Sequence, residues 1–244
     1  MNPGGHVGKD LDHVTETWMS EPRYALYALP AAGSPLEAFG RSVFGDDTMT
    51  GEAAPPAPDL ADLAPMNAGA RIYGFHATLK APMRLAPGLG EADLLTAARG
   101  FAAGHPPVVV GPLTVAALGR FLALVPVAPP PALTLLAAEC VAALDPLRAP
   151  LTGAERAKRR PERLTPRGRA LLERWGYPHV FEEFRFHMTL TDALPEEVLE
   201  GWRARLAGAF ARSGAGPLTI DSLGILRQDG TAPFRLLTRI PFGD

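Results

Sequence analysis

The chain reads as an α+β fold built on an internal duplication, and three observations predict it. The words FHATL at residues 75–79 and FHMTL at 186–190 nearly repeat, in a chain of 244 residues with six histidines. Each word is followed by a proline, a helical stretch, a PLT triplet (112–114 and 217–219) and a further strand-like run. The strand-like runs are short and closely linked, as at Gly119–Arg120, which favours antiparallel hairpins. A repeat period of about a hundred residues is too long for a solenoid and fits duplication of a domain half. The expected product is a bilobal protein with approximate twofold symmetry.

Taken in order, residues 1–18 are polar and read as a flexible leader, and His6 and His13 within it carry no role. The domain then runs from 19 to 244. A strand is expected at 24–29. A helix follows over SPLEAFGRSVFG, with Ser34 as N-cap and Pro35 at the first helical position. Residues 45–70, rich in Pro, Gly and Asp, read as a long loop and a candidate lid. The first lobe covers about 71–127. It has strands at 75–79, 108–115 and 121–127 and a helix at 91–103 with apolar residues at helical spacing. An apolar helix at 131–144 and a basic helical insertion at 145–182 separate it from the second lobe. That lobe, about 183–241, has strands at 184–191, 218–226 and 234–240 and a helix at 195–212. The word LPEEV at its start places a proline and two acids where a helix N-terminus prefers them.

Composition narrows the function classes. The formal net charge of −2 gives no global field toward nucleic acid or a membrane. No run reaches about 18 apolar residues, and the polar leader lacks a secretory h-region, so a cytoplasmic, monomeric protein is expected. Cys140 is the single cysteine and sits in LTLLAAECVAAL. It reads as an inert core thiol in a reducing compartment.

In a strand, alternate residues share a face. His76, Thr78 and Lys80 therefore point one way, with Phe75, Ala77 and Leu79 toward the core. Arg185, His187 and Thr189 repeat the arrangement against Phe184, Phe186, Met188 and Leu190. Two histidines, two threonines and two cations around one cleft suit a phosphodiester. One neutral imidazole takes a proton and the other, protonated, gives one. The hydroxyls, Lys80 and Arg185 hold the phosphate oxygens. The pair leaves open which histidine is the base. A metal site would want a third ligand, and no carboxylate or cysteine repeats beside the motifs, so neither metal nor cofactor is expected. Tyr27, Tyr73 and Tyr177 are candidates to stack on a substrate. Residues 155–174 hold eight Lys/Arg against three Glu. There Arg156 and Arg160, spaced i, i+4 on one helical face, are the first candidates to clamp an anion. His105 and His179, next to prolines, read as structural.

These paired His-x-Thr words, with RYALYALP at 23–30, RIYGFHATLKAP at 71–82 and LTPRGRALLERWGYPHVFEEFRFHMTLT at 164–191, resemble the 2H phosphoesterase superfamily. Within that superfamily the flanking words and the length resemble a bacterial branch associated with phosphonate metabolism. The resemblance extends from Arg23 to the C-terminus. It implies two antiparallel sheets with outer helices facing each other across a central cleft, with His76, Thr78, His187 and Thr189 as catalytic residues. It implies a metal-independent phosphoesterase opening a cyclic or small phosphodiester on a small phosphorylated substrate, such as a phosphoribosyl intermediate of phosphonate metabolism. The long 45–70 loop and the 145–182 insertion make an RNA 2′,3′-cyclic phosphodiesterase the lesser alternative. A non-catalytic sensor of a phosphorylated ligand is the other.

Overall fold

The six residues from Tyr24 to Leu29 are all apolar or aromatic, too many for a strand with one face in water. Strand β1 (Arg23–Ala28) is accordingly central. Its Tyr24, Leu26 and Ala28 enter the main core, while Ala25 and Tyr27 join Leu29, Leu226 and Phe234 in a second cluster. These coordinates are a computed structural model describing residues 21–243. The leader, with His6 and His13, lies outside the described residues.

Helix α1 (Pro35–Phe44) begins as expected: Ser34 Oγ accepts from the Glu37 amide, and Gly45 ends the helix in the left-handed region at φ +71°. The expected loop after it is folded. A 3-10 stretch, Pro58–Met66, buries Leu60 and Leu63, and a short helix α2 (Ala68–Arg71) follows. Next come β2 (Ala77–Met83), α3 (Glu91–Ala103), β3 (Val108–Gly111), β4 (Leu113–Leu118), β5 (Phe121–Pro126) and α4 (Pro131–Leu144). The strand expected over 108–115 is broken at Gly111, φ +88°, and Pro112, which has no N–H to donate. The insertion supplies α5 (Gly153–Lys158) and α6 (Pro166–Trp175), and the second half gives β6 (Met188–Thr189), α7 (Glu196–Arg212), β7 (Leu218–Ile220), β8 (Ser222–Gln228) and β9 (Arg235–Pro241).

The fold is α+β with two antiparallel sheets. Their layout corrects the picture of two similar sheets in separate lobes. Seven strands form one sheet in the order β4-β5-β6-β2-β1-β8-β9, and β3 and β7 pair separately. The halves interleave. The second motif strand, β6, lies beside the first half's β5, and the first motif strand, β2, is followed in the sheet by β1 and the second half's β8 and β9. The physical reason is that each half presents an unpaired strand edge, and the two edges satisfy each other at Ala77 opposite Met188.

The main core takes Phe39 and Phe44 of α1, Leu94 and Ala98 of α3, Leu136 and Cys140 of α4, and Trp202 and Leu206 of α7. Cys140 is fully buried, and that burial pushes its thiol up to about 12, so it stays protonated. Among the described residues, no helix is long and apolar enough to cross a membrane.

Candidate functional site

Strand β6 is two residues long, so the sheet has little backbone between β2 and the β4–β5 hairpin on one side of it. A cavity of about 520 Å³ opens there. Thr78 and Ala81 of β2, Leu118 and Phe121 of the hairpin, and Val141 of α4 form its walls, and the segment after α6 brings Tyr177, His179, Arg185 and His187. Glu183 is the one acidic residue in that lining.

The two motif histidines are held alike. His76 Nδ1 lies 2.8 Å from the Gly74 carbonyl, and His187 Nδ1 lies 2.7 Å from the Arg185 carbonyl. A carbonyl only accepts, so each Nδ1 carries a proton and each Nε2 is left to meet another group. His76 Nε2 meets the Thr78 hydroxyl at 3.2 Å, which connects this half-buried ring to the cavity wall. His187 lies directly in that wall, its ring 5.6 Å from that of Phe121. The two imidazoles are within electrostatic reach of each other. Thr189, half-buried in β6 opposite Ala123, is not part of the cavity lining.

The folded 45–70 segment acts as a buttress for His76. Thr48 Oγ1 accepts from the Phe75 amide at 2.8 Å and packs against Gly74, where an added Cβ would lie 2.1 Å from Thr48 Cγ2. Gly74 has φ +74°, so both its space and its conformation suit glycine. Its carbonyl is thereby aimed at His76. Tyr27 covers one face of the imidazole, with ring centroids 3.6 Å apart and planes 16° from parallel.

Desolvation holds His76 down to about 4. The Gly74 hydrogen bond works the other way, and the nearby His187 adds to the lowering. At neutral pH His76 is a neutral proton acceptor. Its folded value lies below the ordinary value of about 6.5, so its contribution to stability is full above that pH and is lost as pH falls toward 4. A proton NMR titration of the His76 ring should find the midpoint near 4. A midpoint at the ordinary histidine value would mean that the ring is open to solvent.

Three expected cations lie elsewhere. Lys80 does not join His76 and Thr78, because the β1–β2 register carries a bulge: Tyr27 pairs with Thr78, yet Leu26 pairs with Lys80. One extra residue reverses the parity of the strand. Lys80 is buried, and its ammonium meets the Val141 carbonyl and Asp145 Oδ1, each at 3.2 Å. Arg156 is paired with Glu173 on the exposed surface. Arg160 lies past the end of α5 in the left-handed region at φ +49°, so it does not share a helical face with Arg156.

Arg185 is exposed and lines the cavity, with no ion-pair partner among the described residues. Tyr73 is also exposed, stacked on Phe234 with centroids 5.6 Å apart, and does not line the cavity. Tyr177 lines it, with its ring beneath the Arg159 guanidinium carbon at 4.8 Å.

Sequence reasoning missed His179 and Phe121 as residues of the cavity wall. His179 reads as structural beside its proline, yet it lines the cavity 5.5 Å from Tyr177. Phe121 opens a strand that reads as core. Among the described residues, no three His, Cys, Asp or Glu side chains converge as a metal site would need.

The model of a family described as a protein of unknown function, DUF1045, matches residues 78–235. The chain is 43% identical over 250 residues to a protein of Janthinobacterium sp. (strain Marseille) named ribose 1,5-bisphosphate phosphokinase PhnN, covering 98% of this chain and 55% of that protein. It is 37% identical over 224 residues to a protein of the same name from Laribacter hongkongensis (strain HLHK9), covering 88% of this chain and 50% of that one. The chain thus spans about half the length of the curated relatives it matches. A crystal structure of a conserved protein of unknown function, ATU0111 from Agrobacterium tumefaciens str. C58, aligns with a TM-score of 0.40 at 14% identity, covering 91% of this chain and 86% of that one.

These relatives correct the expected activity. They are named as phosphokinases, which transfer a phosphoryl group between molecules. A metal-independent phosphoesterase, in the hydrolase class and with its RNA and sensor alternatives, conflicts with that name. What the expectation shares with it is a small phosphorylated ligand.

Proposed function

The chain belongs to the family described as a protein of unknown function, DUF1045, and from that membership we propose that it supplies the sugar-phosphate site of a phosphoryl-transfer protein. The ligand in this reading is a ribose phosphate of the class named in the relatives, ribose 1,5-bisphosphate. The association with phosphonate metabolism belongs to the same proposal. One observation carries it: a single cavity lined by His187, Thr78 and Arg185, which has no ion-pair partner among the described residues, with neutral His76 bonded to the Thr78 hydroxyl.

Each group has a task in that chemistry. Arg185 presents a planar fork of donors that fits a phosphate, and Thr78 can turn its hydroxyl to a phosphate oxygen. In phosphoryl transfer the acceptor oxygen gives up any proton it carries as the new bond forms. A neutral imidazole is the group to take it, and His76, neutral at pH 7, reaches the cavity through the Thr78 hydroxyl that meets its Nε2. Thr189, the last residue of β6, pairs with Ala123 and anchors the strand that directly follows His187.

The sequence contains no Gly-Lys-Ser or Gly-Lys-Thr of a phosphate-cradling loop. This reading therefore assigns the sugar end of the reaction to the cavity and leaves the nucleoside triphosphate to other residues. Isothermal titration calorimetry of the full chain with ribose 5-phosphate and ribose 1,5-bisphosphate tests the reading. Saturable binding is expected, and 31P NMR with ATP and Mg²⁺ added reads out whether transfer follows. Absence of heat with both sugars at millimolar concentration would sink the proposal.

A further inference from the structure

The Tyr27 side of the site holds more polar chemistry than one phosphate uses. Tyr27 is completely buried in β1, and its hydroxyl has no hydrogen-bond partner among the described residues. Such an orphan is costly to fold around and calls for a partner that arrives later. Its ring is clamped on His76, so the hydroxyl has little freedom to search. Tyr73, Tyr177, Arg23 and Arg159 all lie within electrostatic reach of that hydroxyl.

In the basic insertion Arg156, Arg167 and Arg174 are paired with Glu173, Glu182 and Asp145. Among the described residues Arg159 has no carboxylate, and it rests on the face of Tyr177, which itself lines the cavity. Among the described residues of the insertion, Lys158, Arg160, Arg163 and Arg169 also lack a carboxylate, and Arg159 is set apart by resting on an aromatic ring of the cavity. An arginine positioned by an aromatic ring with its charge unspent is arranged to meet an anion.

We infer that Tyr27, Tyr177 and Arg159 form a second anion subsite, so that the cavity takes a sugar bearing two phosphates rather than one. The inference rests on the proposed sugar-phosphate function and adds which residues hold the second phosphate. Arg185 and His187 hold one phosphate. The second sits against Tyr177, accepts from Arg159 and gives the Tyr27 hydroxyl its missing partner.

The test compares ribose 5-phosphate with ribose 1,5-bisphosphate by calorimetry on the full chain, as wild type, Arg159→Gln and Tyr27→Phe. The wild type should bind the bisphosphate at least about tenfold more tightly, the scale of one charge-assisted contact. Both variants should lose most of that preference, while their affinity for the monophosphate changes by less than about threefold. Arg159 is half-buried just past the end of α5 and outside the sheet, so its variant decides the matter even if Tyr27→Phe disturbs the strand. Equal wild-type affinity for the two sugars, or a preference intact in Arg159→Gln, overturns the second subsite alone. Binding of neither sugar overturns the site reading and this inference together.

Discussion

Replacing His187 with alanine should weaken ribose phosphate binding by roughly 10–100-fold, the cost of losing one hydrogen bond to a charged group. The argument is geometric. The Arg185 carbonyl fixes the Nδ1 proton of His187 at 2.7 Å, so Nε2 faces the cavity that the ring lines. The side chain is half-buried and donates to nothing else among the described residues, so its removal should leave the fold standing. Calorimetry checks the affinity, and urea unfolding of the same variant checks the fold. A change of less than about threefold, with stability unaltered, would remove His187 from the site.

The largest stability effect is expected at Asp145. This carboxylate collects Lys80 at 3.2 Å, Arg148 at 2.8 Å and Arg174 at 3.2 Å. Lys80 is 3% exposed, so without Asp145 its ammonium has only the Val141 carbonyl in a dry environment. Breaking a buried pair by removing one partner costs about 3–5 kcal/mol. Asp145→Ala should therefore lower Tm by roughly 6–20 °C, using about 2–4 °C per kcal/mol for a chain of this size. Adding Lys80→Met should recover most of the loss, because the double variant leaves no unpaired charge inside.

The acid limb gives a second readout. Burial works to raise the Asp145 pKa, but the Arg148 hydrogen bond and the Lys80 charge outweigh it and leave it below the ordinary value. The stability from this group is present above the unfolded value of about 4 and is lost as pH falls through the folded one. Asp145→Ala should flatten that acid-induced loss. A variant within about 1 kcal/mol of wild type in urea would show that the network is not structural.

The site was legible in the sequence as far as local rules reach. A period of two puts His76 and Thr78 on one side, and the observed 3.2 Å contact obeys it. The rule failed two residues later, at Lys80, because a bulge against β1 reverses the parity, and pairing partners are not written in a strand's own letters. The spacing of Arg156 and Arg160 presumed a helix that runs on, whereas α5 ends at Lys158 and leaves Arg159 over Tyr177. Helix ends depend on capping and packing and shift by a residue or two, enough to change which arginine meets Tyr177.

The sequence by itself determined the α+β class, the duplicated words, the helix starts at Ser34 and the central strand at β1. These follow from hydrophobic pattern and capping, which act over a few residues. Only the tertiary structure decided that the halves interleave in one sheet, that Lys80 belongs to the core, and that a buried tyrosine hydroxyl and an unpaired arginine stand beside the two histidines. Those outcomes depend on contacts between residues far apart in the chain, where strand edges, charges and buried polar groups must find partners that local pattern does not specify.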